Sequence, residues 1–240
     1  LYIEEATDAD HRAYRICSNM WSFPCDTRFL RITGGLPGRM VKDARLASCR
    51  SVEVPWLSHI RDPVPFPDMT RPNRVCLASG LAGHYVANSL GFTEWRKRLL
   101  EACRGDKGCH THPTTLGKGP IQQILRFYSQ CEMCVQPPGD MLVRPGIVDA
   151  ISVGCVPVLL HPTQRDYWPM FWNATESTLF VNMQVHNASS VLDRLHRVSD
   201  NELLGIRRVG RVTIPRLTYS QGDDPHDAFS HLVSIVSRVL

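Results

Sequence analysis

Residues 131–160 restrict the fold more than any other stretch of this chain. Cys131-Glu132-Met133-Cys134-Val135 is an apolar strand pattern, and the turn-rich loop Gln136-Pro137-Pro138-Gly139-Asp140 follows it. Pro145 then suits the first turn of a helix, where the missing N–H is no loss. Ile147, Val148, Ala150, Ile151 and Val153 give that helix a broad buried face, Gly154 stops it, and Val156-Pro157-Val158-Leu159-Leu160 is the next strand. A strand, loop, helix, strand unit of this length predicts a parallel sheet with helices on its faces, an α/β fold.

The flanking sequence extends the pattern. Arg74-Val75-Cys76-Leu77-Ala78 reads as a buried strand ending at Ser79-Gly80. Thr93 can cap a helix over 94–103, with Trp95, Leu99 and Ala102 on one face and the run Arg96-Lys97-Arg98 as a solvated one. Val191, Leu192, Leu195 and Val198 keep helical spacing, Ser199-Asp200-Asn201-Glu202 is a capping box for a second tail helix, and a third starts at Asp224-Pro225. Its stripe of Phe229, Leu232, Val233, Val236 and Val239 is expected to pack inward.

Four prolines between residues 61 and 72 rule out a regular helix or central strand there, and we place a domain boundary at this linker. That leaves 1–70 as a partial N-terminal α/β domain and 71–240 as an ordinary-sized C-terminal one. With 43% hydrophobic and 21% charged residues the chain is globular rather than disordered. Its net charge of +4 is scattered, which argues against a nucleic-acid partner. No apolar run approaches a membrane span.

Nine cysteines and two sequons, at Asn173 and Asn187, fit a secretory lumen, where both disulfides and N-glycans form. Cys131-Glu132-Met133-Cys134 has the spacing of a redox or zinc half-site, with His110 and His112 upstream; the competing reading makes those histidines loop residues and the cysteines part of a strand.

In open α/β sheets ligands gather beyond the carboxyl ends of strands, so loop 136–144 occupies the expected binding place. Gly139 lets a ligand approach the backbone, the following helix offers unpaired N–H groups, and Arg144 can grip a phosphate. An anion site and a plain tight turn with a surface arginine both fit the spacing. Neither GxxxxGK[ST] nor GxGxxG occurs, so ATP hydrolysis and nicotinamide redox chemistry have no motif. Asp149, within an apolar helix face, needs either a buried cationic partner such as Arg144 or a ligand.

The run Cys134-Val135-Gln136-Pro137-Pro138-Gly139-Asp140, then Arg144, Asp149-Ala150 and Gly154-Cys155-Val156-Pro157-Val158, resembles the signature of the exostosin-like glycosyltransferases, nearest to their plant xyloglucan galactosyltransferase branch. Asp10-His11, Val54-Pro55-Trp56, Arg74 with Gly80, Arg96, and the closing segment 214–219 with Asp227-Ala228-Phe229 extend the likeness.

The resemblance implies a GT-B architecture of two Rossmann-like domains, the C-terminal one binding a nucleotide-sugar, and transfer with inversion at the anomeric carbon. The donor would be a UDP-sugar, with galactose the sugar that branch points to, and the acceptor a polysaccharide or glycan. No cofactor or metal is implied, and Asp8-Ala9-Asp10 has the letters of a donor motif in the wrong domain. The implied donor set is Gly80, Arg96, Pro138, Gly139, Asp140, Arg144 and Asp149, with Arg144 and the helix start neutralising the leaving diphosphate, Asp149 touching the donor or holding Arg144, and His11 as general base or as a structural histidine. The implied location is the Golgi lumen, with a membrane anchor upstream of Leu1.

The sequence also departs from the family pattern. Met141-Leu142-Val143 replaces small hydroxyl residues, Pro145 replaces an arginine, and Phe180-Val181-Asn182-Met183 lacks the acidic residue usual after the strand. Against the family pattern most of the first domain is expected upstream of Asp10, so the sequence is read either as a fragment of an enzyme or as a noncatalytic nucleotide-sugar or glycan-binding module.

Overall fold

The structure is a computed structural model that describes residues 2–3, 31–33, 51–55, 58–60, 70–80, 91–113, 121–139, 142–222 and 224–239. Three short strands, β1 (Tyr2–Ile3), β2 (Arg31–Thr33) and β3 (Ser51–Glu53), form a parallel sheet in the order β1-β2-β3. The second sheet is larger. It comprises β4 (Asn73–Ser79), β5 (Cys109–Pro113), β6 (Cys131–Gln136), β7 (Val156–Leu159) and β8 (Leu179–Phe180), all parallel, in the order β5-β4-β6-β7-β8. The expected α/β class and parallel sheet are therefore observed.

Helices α1 (Phe92–Gly105), α2 (Ile121–Ser129) and α3 (Pro145–Ser152) connect the first strands, and α4 (Ala174–Ser177), α5 (Ala188–His196), α6 (Asp200–Thr213) and α7 (Ala228–Val239) follow. Period-two alternation splits the strands between two faces. Val75, Leu77, Met133, Val135, Val156 and Val158 pack with Leu99, Val191, Leu195 and Leu203. Cys76, Ala78 and Cys134 face Tyr128 and Ala150 instead. Every residue of β6 is buried, as a central parallel strand covered on both faces requires.

Several expectations are corrected. The cap of α1 is Gly91, in the left-handed region at φ 74°, and Thr93 lies inside the first turn accepting a hydrogen bond from Arg96. Arg96 is buried, so only Lys97 and Arg98 form the solvated face. His110 and His112 belong to β5, because that segment pairs with β4 from Val75 to Ser79. Helix α7 begins at Ala228 rather than at Asp224-Pro225. Its buried side carries Ala228, Leu232 and Ile235, leaving Phe229 and Val233 52% and 49% exposed. Ser199 caps α6 as expected, through Glu202 N–H.

Cys131 and Cys134 pair with Cys76 and Cys155, and a third disulfide joins Cys103 to Cys109. The CxxC redox or zinc reading is thereby removed, and no group of three or more potential metal ligands occurs among the described residues. Nor is any helix among them long and apolar enough to cross a membrane. At the amino edge of the sheet a buried ion pair joins Arg207 to Glu132, whose carboxylate also accepts from Arg71 N–H, while Arg71 and Arg207 donate to the carbonyls of Val153 and Gly154. Burial lowers the Arg71 guanidinium below its usual range.

Candidate active site

The first strand of the large sheet, β4, lies between β5 and β6, so successive connections leave it in opposite directions. A crevice opens at such a switch point, beyond the carboxyl ends of the strands. At that end lie Ser79, the last residue of β4, with Gly80, and Gln136, the last residue of β6, with Pro137, Pro138 and Gly139. Gly80 and Gly139 are half-buried there, and Pro138 is buried.

Arg144 caps α3 with an extended backbone, φ −152° and ψ 158°, and its side chain crosses the crevice to donate from Nη2 to the Ala78 carbonyl at 2.8 Å. The guanidinium is half-buried rather than turned to solvent. The Arg144 side chain does not cap the first-turn amides of α3, and the positive end of the helix stands at the crevice. Gly146 allows close packing here: a Cβ would lie 3.0 Å from Gln136 Oε1 and 3.5 Å from the Tyr128 hydroxyl. Gln136 is wholly buried, donates to that hydroxyl at 3.3 Å, and leaves Oε1 without a hydrogen-bond partner among the described residues.

Gln164, which sequence reasoning missed, ties the crevice together. Its Oε1 accepts from the N–H groups of Leu160 and His161 at 2.8 and 2.9 Å, and its Nε2 donates to the carbonyls of Gln136 and Leu142 at 3.0 and 2.7 Å. The ends of β6 and β7 and the loop before α3 thus share one buried amide. The 3-10 turn Pro162–Asp166 that carries Gln164 is capped by His161, whose Nδ1 accepts from Thr163 N–H. Burial depresses the His161 imidazole below its usual value, against an opposing pull from Asp166.

Leu142 and Val143 are packed in the core with Ile147, Leu159 and Trp168. They face away from solvent and anchor the loop. Arg96 sits near the start of α1, at the same carboxyl edge; Asp140 lies outside the described residues, as does His11.

Asp149 is the principal correction. Arg144 is not its partner. The buried carboxylate accepts from Ser58 Oγ at 2.7 Å and His59 N–H at 2.9 Å through Oδ1, and meets His59 Nδ1 at 2.7 Å through Oδ2. The hydrogen-bonding partners come from a segment ninety residues upstream, just after Val54-Pro55-Trp56, and the need of a buried carboxylate for donors was the only signal of them. A second clasp between the same regions runs from the Tyr219 hydroxyl to the Pro55 carbonyl at 3.1 Å; burial, with Asp227 nearby, raises that phenol above its usual range. Both sequon asparagines are exposed helix caps, Asn173 on α4 and Asn187 on α5.

No family model matches the chain. Among curated proteins of Arabidopsis thaliana it is 29% identical over 143 residues to the probable xyloglucan galactosyltransferase GT17, covering 59% of this chain and 30% of that one. It is 29% identical over 150 residues to the xyloglucan galactosyltransferase MUR3, covering 58% and 22%, and 26% identical over 103 residues to the xyloglucan-specific galacturonosyltransferase 1, covering 42% and 15%. The chain is related in sequence to these plant glycosyltransferases, and it spans less than a third of their length. Among solved structures, TarM overlaps 97% of this chain and 47% of its own at 10% identity and TM-score 0.47. The pneumococcal O-GlcNAc transferase GtfA, solved with UDP and GlcNAc, overlaps 88% and 44% at 12% identity and TM-score 0.45.

Proposed function

We propose that this chain is the donor-binding part of an inverting glycosyltransferase, which moves galactose from a UDP-sugar to a polysaccharide or glycan acceptor. The observation that carries the reading is the Arg144 guanidinium laid across the switch-point crevice at the start of α3. As the bond between sugar and diphosphate breaks, negative charge grows on the diphosphate. Amides and a guanidinium already fixed in place stabilise that charge more than they stabilise the bound donor, which lowers the barrier. Arg96, Gly80, Pro138, Gly139 and Asp140 complete the proposed donor set, with no cofactor or metal.

The three disulfides among the described residues and the exposed sequon asparagines support folding in an oxidising, glycosylating compartment. The Golgi lumen, with an anchor upstream of Leu1, is the location proposed. The test is to incubate the full-length protein with UDP-galactose and xyloglucan oligosaccharides. UDP release with a galactosylated product of the opposite anomeric configuration is expected; no release with any glycan acceptor, or a retained configuration, contradicts the reading.

A further inference from the structure

Resting on that reading, we propose that Gln136 positions Arg144 for the diphosphate: its buried side-chain oxygen accepts the Arg144 Nε–H once a nucleotide fills the crevice. Gln136 is wholly buried, and its Oε1 has no hydrogen-bond partner among the described residues. A buried acceptor without a donor lowers stability, and native folds hold few of them.

The neighbours of that oxygen say what donor it is kept for. Measured from the position a Cβ would take on Gly146, Gln136 Oε1 lies at 3.0 Å and Arg144 Nε at 3.4 Å. A methyl group there would touch both, and the glycine leaves the space beside them open. The other end of the amide donates from Nε2 to the Tyr128 hydroxyl at 3.3 Å. A hydroxyl suits either end of an amide, whereas a guanidinium only donates, so the oxygen is the end that belongs beside Arg144.

Arg144 has the complementary need. Its bond to the Ala78 carbonyl uses Nη2 and holds the planar group at one nitrogen. A second anchor at Nε fixes the tilt of the plane, and the hydrogens left on Nη1 and Nη2 are then presented to the ligand as a fork. A bound diphosphate excludes water from the guanidinium, and an Nε–H cut off from water must find another acceptor. Gln136 Oε1 is the uncommitted acceptor beside it. No hydrogen bond joins the two in this structure, so the contact is one that nucleotide binding closes.

The test titrates UDP into the full-length protein by calorimetry. Gln136→Met keeps the length of the side chain and removes the acceptor, and it should bind UDP about 10-fold more weakly, the lower range for a hydrogen bond to a charged group. The same change in an Arg144→Ala background should cost nothing further, since the effect runs through Arg144. An equal loss in both backgrounds marks a merely structural role and overturns the proposal, as does a Gln136→Met protein with wild-type affinity. Should Gln136→Met fail to fold, the wild type decides. A crystal structure of its UDP complex should place Arg144 Nε about 3 Å from Gln136 Oε1, and a water on that oxygen with Nε turned elsewhere overturns the proposal. Each of these outcomes leaves the nucleotide site standing; a wild-type protein that binds no UDP overturns the underlying reading instead.

Discussion

Gln164 joins four backbone groups from three segments through one buried amide, so its removal strands polar groups that water cannot reach. Gln164→Leu should destabilise the fold by about 3 kcal/mol or more, since each unpaired buried group costs ~1–3 kcal/mol. Gln164→Glu keeps the acceptor for Leu160 and His161 but offers no donor to Gln136 and Leu142, so denaturant melts should place it between wild type and Leu. Nothing in Pro162-Thr163-Gln164-Arg165 marks this glutamine among surface-like neighbours, because its partners lie up to 28 positions away. The place of Arg144 at the start of α3 was legible, since Pro145 follows it in sequence. Asp149 was half legible: a carboxylate in an apolar helix face announces a partner, but local spacing points to Arg144 and only the fold brings Ser58 and His59.

At the scale of elements, the strand, loop, helix, strand unit was readable because its signals are all local: apolar runs, Pro145 at the start of α3, and Gly154 in the left-handed region at φ 74° at its end. Elements defined by their neighbours were not. β5 carries His110 and His112 and becomes a strand through pairing with β4, and the turn of α7 about its axis is set by what it packs against. Two outcomes belong here. The depressed His161 imidazole resists protonation in the folded state, so the unfolded chain takes the proton first as pH falls below its ordinary value of 6.5. Stability should therefore be level above that value and decline below it, and His161→Asn, which keeps a cap acceptor without titrating there, should flatten the decline in melts across this range. At the opposite edge, Glu132→Gln leaves Arg207 buried beside a neutral amide. A loss of about 3–5 kcal/mol is expected with UDP binding unaffected, because this network lies at the amino ends of the strands.

The whole molecule combines a small parallel sheet, a large one, and clasps between them at Asp149 with residues 58–59 and at Tyr219 with Pro55. The disulfides hold the large sheet. Closing a 55-residue separation, Cys76–Cys131 contributes about 4 kcal/mol by chain entropy, so Cys76→Ser with Cys131→Ser should lower stability by that order in chemical denaturation. The architecture places the crevice at the strand order reversal, and the central claim is that a nucleoside diphosphate binds there between Arg144 and the start of α3. Calorimetric titration of UDP into wild type and Arg144→Ala tests it most directly. Wild type should bind UDP and the variant should bind it roughly 10–100-fold more weakly, as loss of a hydrogen bond to a charged group entails, with at most about 1 kcal/mol lost in stability. Equal UDP affinity in the two proteins, or none in either, would contradict the account.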